Sequence, residues 1–375
     1  MRRMVQALVC GLACAAFPVL AAPAPVLNAR AVPYLDDAGR VSYEAWLRTN
    51  LPRAFAVAPG GKTGWVSGNL HDTLEAIREK ALQQCAAKGA SGCALYAENL
   101  DVVWPGQQSR AAPPPGPLVK TWNYALVPDA RFIWHSPAAA RGVVVWAHGY
   151  GGPEVDNRGI QPQSFIRPLN NIGYDVVRFD REPMADARDR AADWLHDGLQ
   201  EMRRLGYRSV VAAGQSRGAW NSLQVLDTPG LADVVIAVSP AAHGTGGSTN
   251  LTAQYDDLRA VLAGVPNTRT RVAFVQFGGD TFIGDADRRA GLLQGTAPRL
   301  GALLLIDRPE GFSGHSAGAT AAFGQRYGEC LMHFALDPSP PRSCPGQAVS
   351  PERTAQSPPP SLQPTAGPDR HRPPG

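Results

Sequence analysis

Residues 209–218 read Ser209-Val210-Val211-Ala212-Ala213-Gly214-Gln215-Ser216-Arg217-Gly218. A short apolar run leads directly into a serine that is flanked by glycines at positions 214 and 218, and a helical pattern follows. Short apolar runs bounded by turn residues are typical of strands buried within a parallel sheet. The stretch therefore predicts a strand, a tight turn at Ser216 and a helix, in that order.

Similar apolar runs, separated by helical patterns, extend on both sides of this stretch from about residue 121 to residue 337. The predicted strands are 143–147, 174–179, 209–213, 234–238, 272–277 and 302–306, after an opening hairpin formed by 122–127 and 131–135. The predicted helices lie near 186–205, 219–227, 252–263, 285–294 and 317–330. This alternation predicts an α/β fold with a mostly parallel central sheet and helices on both faces.

The pattern Gly-x-Ser-x-Gly occurs twice, so its surroundings must decide between two serines. The second copy, Gly314-His315-Ser316-Ala317-Gly318, follows loop residues instead of a strand. Only Ser216 has the strand–turn–helix context that lifts a hydroxyl to the edge of a sheet. Ser216 is therefore favoured over Ser316, and the remaining alternative is an ordinary turn serine.

Three other pieces of the chain accompany the Ser216 turn in a fixed order. A glycine-rich turn, His148-Gly149-Tyr150-Gly151-Gly152, precedes it, and Asp280 and His315 follow it, each after a predicted strand. This order resembles that of the α/β-hydrolase family, whose triad runs Ser, Asp or Glu, His along the chain. The resemblance covers about residues 121–337 and implies the fold of that family over this range.

The resemblance also implies a role for each of these residues. Ser216 is implied as the nucleophile, His315 as the base that takes its proton, and Asp280 as the acid that orients the imidazole. The backbone N–H groups of Tyr150 and Arg217 are implied as the oxyanion hole. A serine hydroxyl alone is a poor nucleophile at neutral pH, so its base and acid are needed as well.

Alternatives to some of these roles stay open. Asp285, slightly beyond Asp280, is the second candidate for the acid, although it also suits the start of a helix. Among the eight histidines, His243 follows the strand after Ser216 and is a candidate for the border of the pocket. The Arg217 side chain is expected to pair with a nearby Asp or to recognise an acidic substrate.

The first 21 residues have the form of a secretory signal. Arg2 and Arg3 are followed by an apolar stretch from Ala7 to Ala16, and cleavage is expected after Ala21. An uncleaved anchor is the alternative, but the apolar run is shorter than the ~20 residues that a membrane span needs. The chain is therefore predicted to be a periplasmic or secreted bacterial protein without a stable membrane span.

Four cysteines remain after removal of this segment, which is an even number in a chain predicted to be exported. Cys85–Cys93 and Cys330–Cys344 are the favoured disulfides among the three possible pairings, because these cysteines are neighbours in sequence. A zinc site is the alternative, but the chain has neither a C-x-x-C pair nor matching histidine spacing.

The chain outside the α/β region is divided by composition. Residues 22–50 are predicted to be an extended lead-in and 52–104 a small α+β module, in which Asp72 and Glu75 mark a helix start. This module resembles small cysteine-bearing modules at the front of some secreted bacterial hydrolases. Residues 105–120 are predicted to be a proline-rich linker and 338–375 a disordered proline-rich tail.

Charge is concentrated at the two ends of the chain. Of the formal net charge of +4, residues 1–21 contribute +2 and residues 338–375 contribute another +2. The body between them is near neutral, so nucleic acid is not an expected partner. No H-E-x-x-H pattern and no nucleotide-binding fingerprint is present, and the implied mechanism requires no metal and no organic cofactor.

These features predict an exported serine hydrolase that cleaves carboxylic esters of small molecules or lipids through an acyl-enzyme. The same residues serve peptidases, amidases, thioesterases and acyltransferases, which are the nearest alternatives. A secreted binding protein built on a hydrolase scaffold is the alternative from another class, because a fold does not determine a function.

Overall fold

The computed structural model describes residues 24–69, 71–186, 188–243 and 250–346. The predicted signal segment 1–21 and the predicted tail beyond residue 346 lie outside the described residues. Within those ranges, no helix is both long enough and apolar enough to cross a membrane.

The N-terminal part of the chain forms a four-stranded antiparallel sheet with a helix on each face. Its elements are α1 (Asp37–Leu47), β1 (Arg53–Ala58), β2 (Lys62–Ser67), α2 (Leu74–Ala86), β3 (Ala94–Glu98) and β4 (Asp101–Val102), and the strand order is β2-β1-β3-β4. Alternate residues of β1 pack against Tyr43 and Trp46 of α1 and against Ile77 and Ala81 of α2. The central strand β1 is therefore buried on both faces.

The prediction of an extended lead-in over 22–50 is wrong at α1. Asp36 begins this helix by accepting a hydrogen bond from the backbone N–H of Gly39 at 2.7 Å. Tyr43, Trp46 and Leu47 lie on its buried face. The second helix, α2, begins after Thr73, which caps it, while the Asp72 carboxylate accepts from the N–H of Asn69 instead.

An eight-stranded mixed sheet forms the centre of the larger part of the chain. Its strands are β5 (Val119–Lys120), β6 (Tyr124–Pro128), β7 (Gly142–Ala147), β8 (Tyr174–Arg181), β9 (Val210–Gln215), β10 (Val234–Val238), β11 (Arg271–Gln276) and β12 (Ala302–Asp307). The order is β12-β11-β10-β9-β7-β8-β6-β5, in which β7 to β12 are parallel and β5 and β6 are antiparallel at one edge. The carboxyl ends of the parallel strands consequently meet at one edge of the sheet.

Helices cover both faces of this sheet. They are α3 (Arg167–Asn171), α4 (Arg188–Arg204), α5 (Arg217–Gln224), α6 (Leu251–Gly264), α7 (Ala286–Thr296) and α8 (Ala321–Leu336). Val143 and Val145 of β7 face a core shared with α4 to α7, whereas Val144 and Trp146 face a core shared with α3 and α8. The predicted α/β fold with a mostly parallel sheet is therefore observed.

The predicted hairpin between 122–127 and 131–135 is wrong, because β6 pairs with β5 and β8. Residues 131–135 form no strand because side chains satisfy their backbone groups. The Asn170 side chain bonds both the N–H and the carbonyl of Ile133, at 2.9 and 2.8 Å, and Asp129 accepts from the N–H of Arg131. The prediction of a linker is wrong at residues 119–120, which form β5.

Both expected cysteine pairs lie at disulfide distance. Cys85–Cys93 ties the last turn of α2 to the segment before β3, and Cys330–Cys344 ties α8 to the residues that follow it. Cys344 is buried although it belongs to the predicted tail, so residues up to 346 pack on the body of the protein.

The two sheets are joined by direct contacts. Asn171 and Gln325 side chains donate hydrogen bonds to the carbonyls of Leu47 and Ala45 in α1. Ile133, which lies between β6 and β7, is part of the apolar core of the N-terminal sheet. The N-terminal residues are therefore packed against the large sheet.

Candidate active site

Ser216 lies at the sharp turn between β9 and α5. Its backbone φ of 55° is in the left-handed region, which a non-glycine residue rarely adopts. The two flanking glycines permit this turn, because a Cβ on Gly214 would collide with the backbone of Gly218 and a Cβ on Gly218 would collide with the backbone of Ala147. The strain and the close packing together lift the hydroxyl above the sheet edge.

The imidazole of His315 joins the Ser216 hydroxyl to the Asp280 carboxylate. His315 Nε2 lies 2.8 Å from Ser216 Oγ, and His315 Nδ1 lies 2.9 Å from both carboxylate oxygens of Asp280. A ring whose Nδ1 carries the proton can donate to Asp280 and accept from Ser216 at the same time. The structure therefore brings together three side chains that are far apart in sequence.

Three loops at the carboxyl edge of the sheet hold this arrangement. Asp280 follows β11 through Gly278 and Gly279, and its side chain also accepts from the N–H of Phe282 at 2.9 Å. The loop that carries His315 follows β12, and its Ser313 hydroxyl and Gly314 N–H both donate to the carbonyl of Gly278. The acid and base loops are consequently fixed to each other.

The glycine-rich turn after β7 passes beside the nucleophile. A Cβ on Gly149 would lie 3.5 Å from Ser216 Cβ, so a larger side chain would fill the space next to the hydroxyl. The Gly149 carbonyl lies 2.6 Å from His148 Nδ1 and accepts from Asn157 Nδ2 at 3.1 Å. In a trans peptide the N–H points away from the carbonyl, so these bonds also determine the direction of the Tyr150 N–H.

His148 is a buried, neutral anchor of this turn. Its Nε2 accepts a hydrogen bond from the backbone N–H of Arg181 at 3.2 Å. The ring proton is therefore on Nδ1, where it faces the Gly149 carbonyl oxygen. Burial, followed by the nearby Arg181 guanidinium, lowers the pKa of His148 to about 3. Arg181 also bonds the His148 carbonyl at 2.8 Å and pairs with the buried Asp186.

The two residues expected to supply the oxyanion hole also touch through their side chains. The Arg217 guanidinium carbon lies 4.9 Å from the centroid of the Tyr150 ring, within the range of a cation–π contact. This contact links the start of α5 to the glycine-rich turn.

The alternative residues have other positions. Asp285 caps α7 by accepting from the N–H of Arg288 at 3.0 Å, and His243 Nε2 bonds Asp257 at 2.5 Å. Ser316 follows His315 in the loop after β12 and has an ordinary φ of −97°, without the sharp turn of Ser216. No group of three or more His, Cys, Asp or Glu residues is arranged to hold a metal in the described ranges.

A cavity of about 580 Å³ lies beside Ser216 and His315, within the size range of small-molecule sites. The large sheet and its loops supply most of the lining, including Trp146, Tyr150, Gln163 and Gln215. The N-terminal residues supply the rest, and sequence reasoning missed that contribution. The sequence predicts a small α+β module there, but it does not predict that residues of this module reach the cavity beside Ser216.

No protein-family model and no curated protein matches this chain. Solved structures with partial likeness include the esterase Pf2001 of Pyrococcus furiosus, at 14% identity over 59% of this chain and 98% of that chain, with a TM-score of 0.41. Est1E of Butyrivibrio proteoclasticus is 13% identical over 58% of this chain and 98% of its own, with a TM-score of 0.41. An acylaminoacyl peptidase of Pyrococcus horikoshii is 12% identical over 64% of this chain and 46% of its own, with a TM-score of 0.42.

Proposed function

We propose that this protein is an exported serine hydrolase that cleaves carboxylic esters at Ser216. The observation that carries the proposal is the continuous hydrogen-bond chain from Ser216 through His315 to Asp280, at 2.8 and 2.9 Å. The strained turn at Ser216 and the adjoining cavity give it further support. Strain at a residue of this kind is common at functional sites, where surrounding contacts compensate for it.

In the proposed reaction, Ser216 Oγ attacks the carbonyl carbon of the ester and its proton moves to His315 Nε2. The backbone N–H groups of Tyr150 and Arg217 stabilise the negative charge that forms on the carbonyl oxygen. His315 then gives its proton to the departing alcohol, which leaves an acyl group on Ser216. A water molecule that loses its proton to His315 releases the acid and restores the serine.

Asp280 has an orienting role in this scheme. Its carboxylate lies 2.9 Å from Nδ1 of His315 and has no exposed side-chain surface. A buried carboxylate in this position holds the imidazole in the tautomer that accepts from serine and stabilises the imidazolium that follows.

The test is labelling of the mature protein by a fluorophosphonate probe, with turnover of a short acyl ester as the second measurement. We expect Ser216→Ala to abolish labelling and to reduce kcat on the order of a million-fold, because the residues of a triad act as a unit. Ser316→Ala, in the second Gly-x-Ser-x-Gly pattern, is the matched control. It should still be labelled by the probe, because Ser216 is unchanged. An unlabelled wild-type protein would instead favour a binding protein on the same scaffold.

Export is proposed from the predicted signal segment and from the two cysteine pairs at disulfide distance. Disulfides persist in the periplasm and outside the cell, where thiols are not kept reduced. Intact mass under non-reducing conditions should show a chain that begins at Ala22 and lacks four hydrogens. Four free thiols on the exported chain would contradict the proposal.

A further inference from the structure

The cavity beside Ser216 has walls from two separate parts of the chain. One wall belongs to the large sheet and its loops. The other, here called the N-terminal wall, consists of Asn50, Leu51, Ser67, Gly68, Asn69 and His71. These residues come from the segment before β1, from the end of β2 and from the loop that follows β2, about 150 positions ahead of the nucleophile in the sequence.

Direct hydrogen bonds hold the N-terminal wall in place. The Gln161 side chain accepts from the Leu51 N–H and donates to the Leu51 carbonyl, both at 3.0 Å, and the Asn50 side chain donates to the Pro162 carbonyl at 3.0 Å. Arg167, which is fully buried, donates to the same Gln161 oxygen at 3.3 Å. The Asn50–Leu51 part of the wall is therefore bonded directly to the body of the protein.

The cavity lining combines apolar side chains with uncharged polar ones. No Asp, Glu, Lys or Arg lines it among the described residues, and carboxamide side chains come from both walls. These carboxamides are Asn50, Asn69, Asn157, Gln161, Gln163 and Gln215. A carboxamide has both donors and acceptors, and so does a hydroxyl group. An alkyl chain would displace the water bound to the carboxamide without forming a hydrogen bond in its place.

Two of these carboxamides have an oxygen without a partner. In the described parts of the chain, nothing donates to the buried Oδ1 of Asn50 or Oε1 of Gln163. The orientation of the Asn50 amide follows from its bond to Pro162, so the unpaired atom is the oxygen. Buried acceptors of this kind are usually satisfied, so a ligand with donor groups is expected to pair with them once these side chains rotate toward the cavity.

We propose that the cavity binds a neutral, hydroxyl-rich alcohol group, as in an acylated sugar or polyol, and that the N-terminal wall determines this preference. The inference rests on the proposed ester hydrolysis at Ser216 and adds its substrate class. A charged alcohol group would lack an opposite charge in the lining, and a long alkyl group would form no hydrogen bonds with the carboxamide atoms that the protein leaves unpaired.

The experiment compares two acetates with six-carbon alcohols, glucose 6-acetate and hexyl acetate, on the full mature chain with both disulfides formed. We expect wild-type kcat/KM to favour the glucose ester. Asn50→Leu, Asn69→Leu and Gln163→Leu should each lower the ratio of the two kcat/KM values ~10-fold, because each removes hydrogen bonds that only the sugar makes. Gln84→Leu, on the exposed face of α2 outside the cavity, is the matched control and should keep the wild-type ratio.

The outcomes separate this inference from the proposed function. A preference for hexyl acetate, or a ratio that stays constant in all three variants, would overturn the inference and leave ester hydrolysis intact. Labelling of Ser216 and turnover of hexyl acetate without hydrolysis of the glucose ester would also overturn the inference alone. A preference for an N-acetylated amine would overturn both the inference and the proposed ester hydrolysis. Absence of both labelling and turnover would refute the proposed function. Asn69 is exposed, so its variant keeps the test valid if a buried substitution prevents folding.

Discussion

At the scale of single residues, the direction of one peptide group decides whether the proposed oxyanion hole forms. The Gly149 carbonyl is held by His148 and Asn157, and the Tyr150 N–H belongs to the same peptide. Loss of one anchoring bond should let this peptide rotate away from its position beside Ser216. The Tyr150 N–H would then stabilise the negative charge of the transition state less strongly. Binding of the uncharged ester would change little, because that charge has not yet formed.

We therefore predict that Asn157→Ala lowers kcat by about 3- to 10-fold, because a hydrogen bond contributes about 0.5–1.5 kcal/mol net. KM for a small ester such as an aryl acetate should change less than kcat. Steady-state kinetics with that ester are the measurement, and Asp156→Asn, which changes the neighbouring exposed residue, is the control. A change confined to KM would show that Asn157 contacts substrate without orienting the turn.

A second residue-scale prediction concerns His148 and pH. Its folded-state pKa of about 3 lies below the ordinary histidine value of about 6.5. Between these two values the unfolded chain binds a proton that the folded chain does not, so the free energy of unfolding falls as pH falls. The slope from this single group reaches at most ~1.4 kcal/mol per pH unit.

His148→Gln should remove this component, so its free energy of unfolding should decrease less than that of the wild type between pH 6.5 and 4.5. Urea denaturation at several pH values in that window is the measurement, and it avoids the range in which Asp156 titrates, with a pKa of about 2. His71→Gln controls for the loss of a histidine at an exposed position. Equal slopes for wild type and His148→Gln would contradict the assignment of a buried neutral ring.

At the scale of elements, the turn between β9 and α5 requires a glycine at position 218, because α5 starts directly against the end of β7. Gly218→Ala should lower the free energy of unfolding by about 1–3 kcal/mol, the range for overpacked sites, and should displace the glycine-rich turn. Urea denaturation and the rate of fluorophosphonate labelling measure the two effects. Gly291→Ala, on a part of α7 with open space, should raise stability by about 0.5–1 kcal/mol. Wild-type values for Gly218→Ala would refute the close packing.

Element prediction from sequence succeeds where burial is complete. The predicted strand 234–238 coincides with β10, because every residue of a parallel central strand faces a core and the whole run is apolar. The positions of Ser216, Asp280 and His315 follow from the same logic, since the loops after β9, β11 and β12 must meet at one sheet edge. Their catalytic roles stay predictions.

Two of the failures share a cause, which is dependence on distant side chains. Arg131–His135 has the pattern of a strand, yet Asn170 satisfies the backbone of Ile133 from 37 positions away. The N-terminal wall likewise depends on Gln161, which lies 110 positions beyond Leu51. No local pattern encodes such contacts, so the wall does not follow from the sequence. The helix α1 differs, because its start has a local signal in the Asp36 cap.

At the scale of the whole molecule, the two sheets are expected to unfold together. Ile133 belongs to the chain of the large sheet but lies in the core of the N-terminal sheet, and it is 6% exposed. Ile133→Ala should lower the free energy of unfolding by about 2–4 kcal/mol, through lost burial and the cavity left behind. Val41→Ala, at a position that is 62% exposed, should change it by less than ~0.5 kcal/mol.

Hydrogen exchange resolved by peptide mass distinguishes joint from separate unfolding. With increasing urea, peptides from β1 and β7 should lose protection at the same midpoint in the wild type, and Ile133→Ala should shift both midpoints equally. Protection lost first in β1 would show that the N-terminal sheet opens independently. In that case the N-terminal wall would leave the cavity while the Ser216–His315–Asp280 contacts remained, and the proposed sugar preference would be lost before the esterase activity.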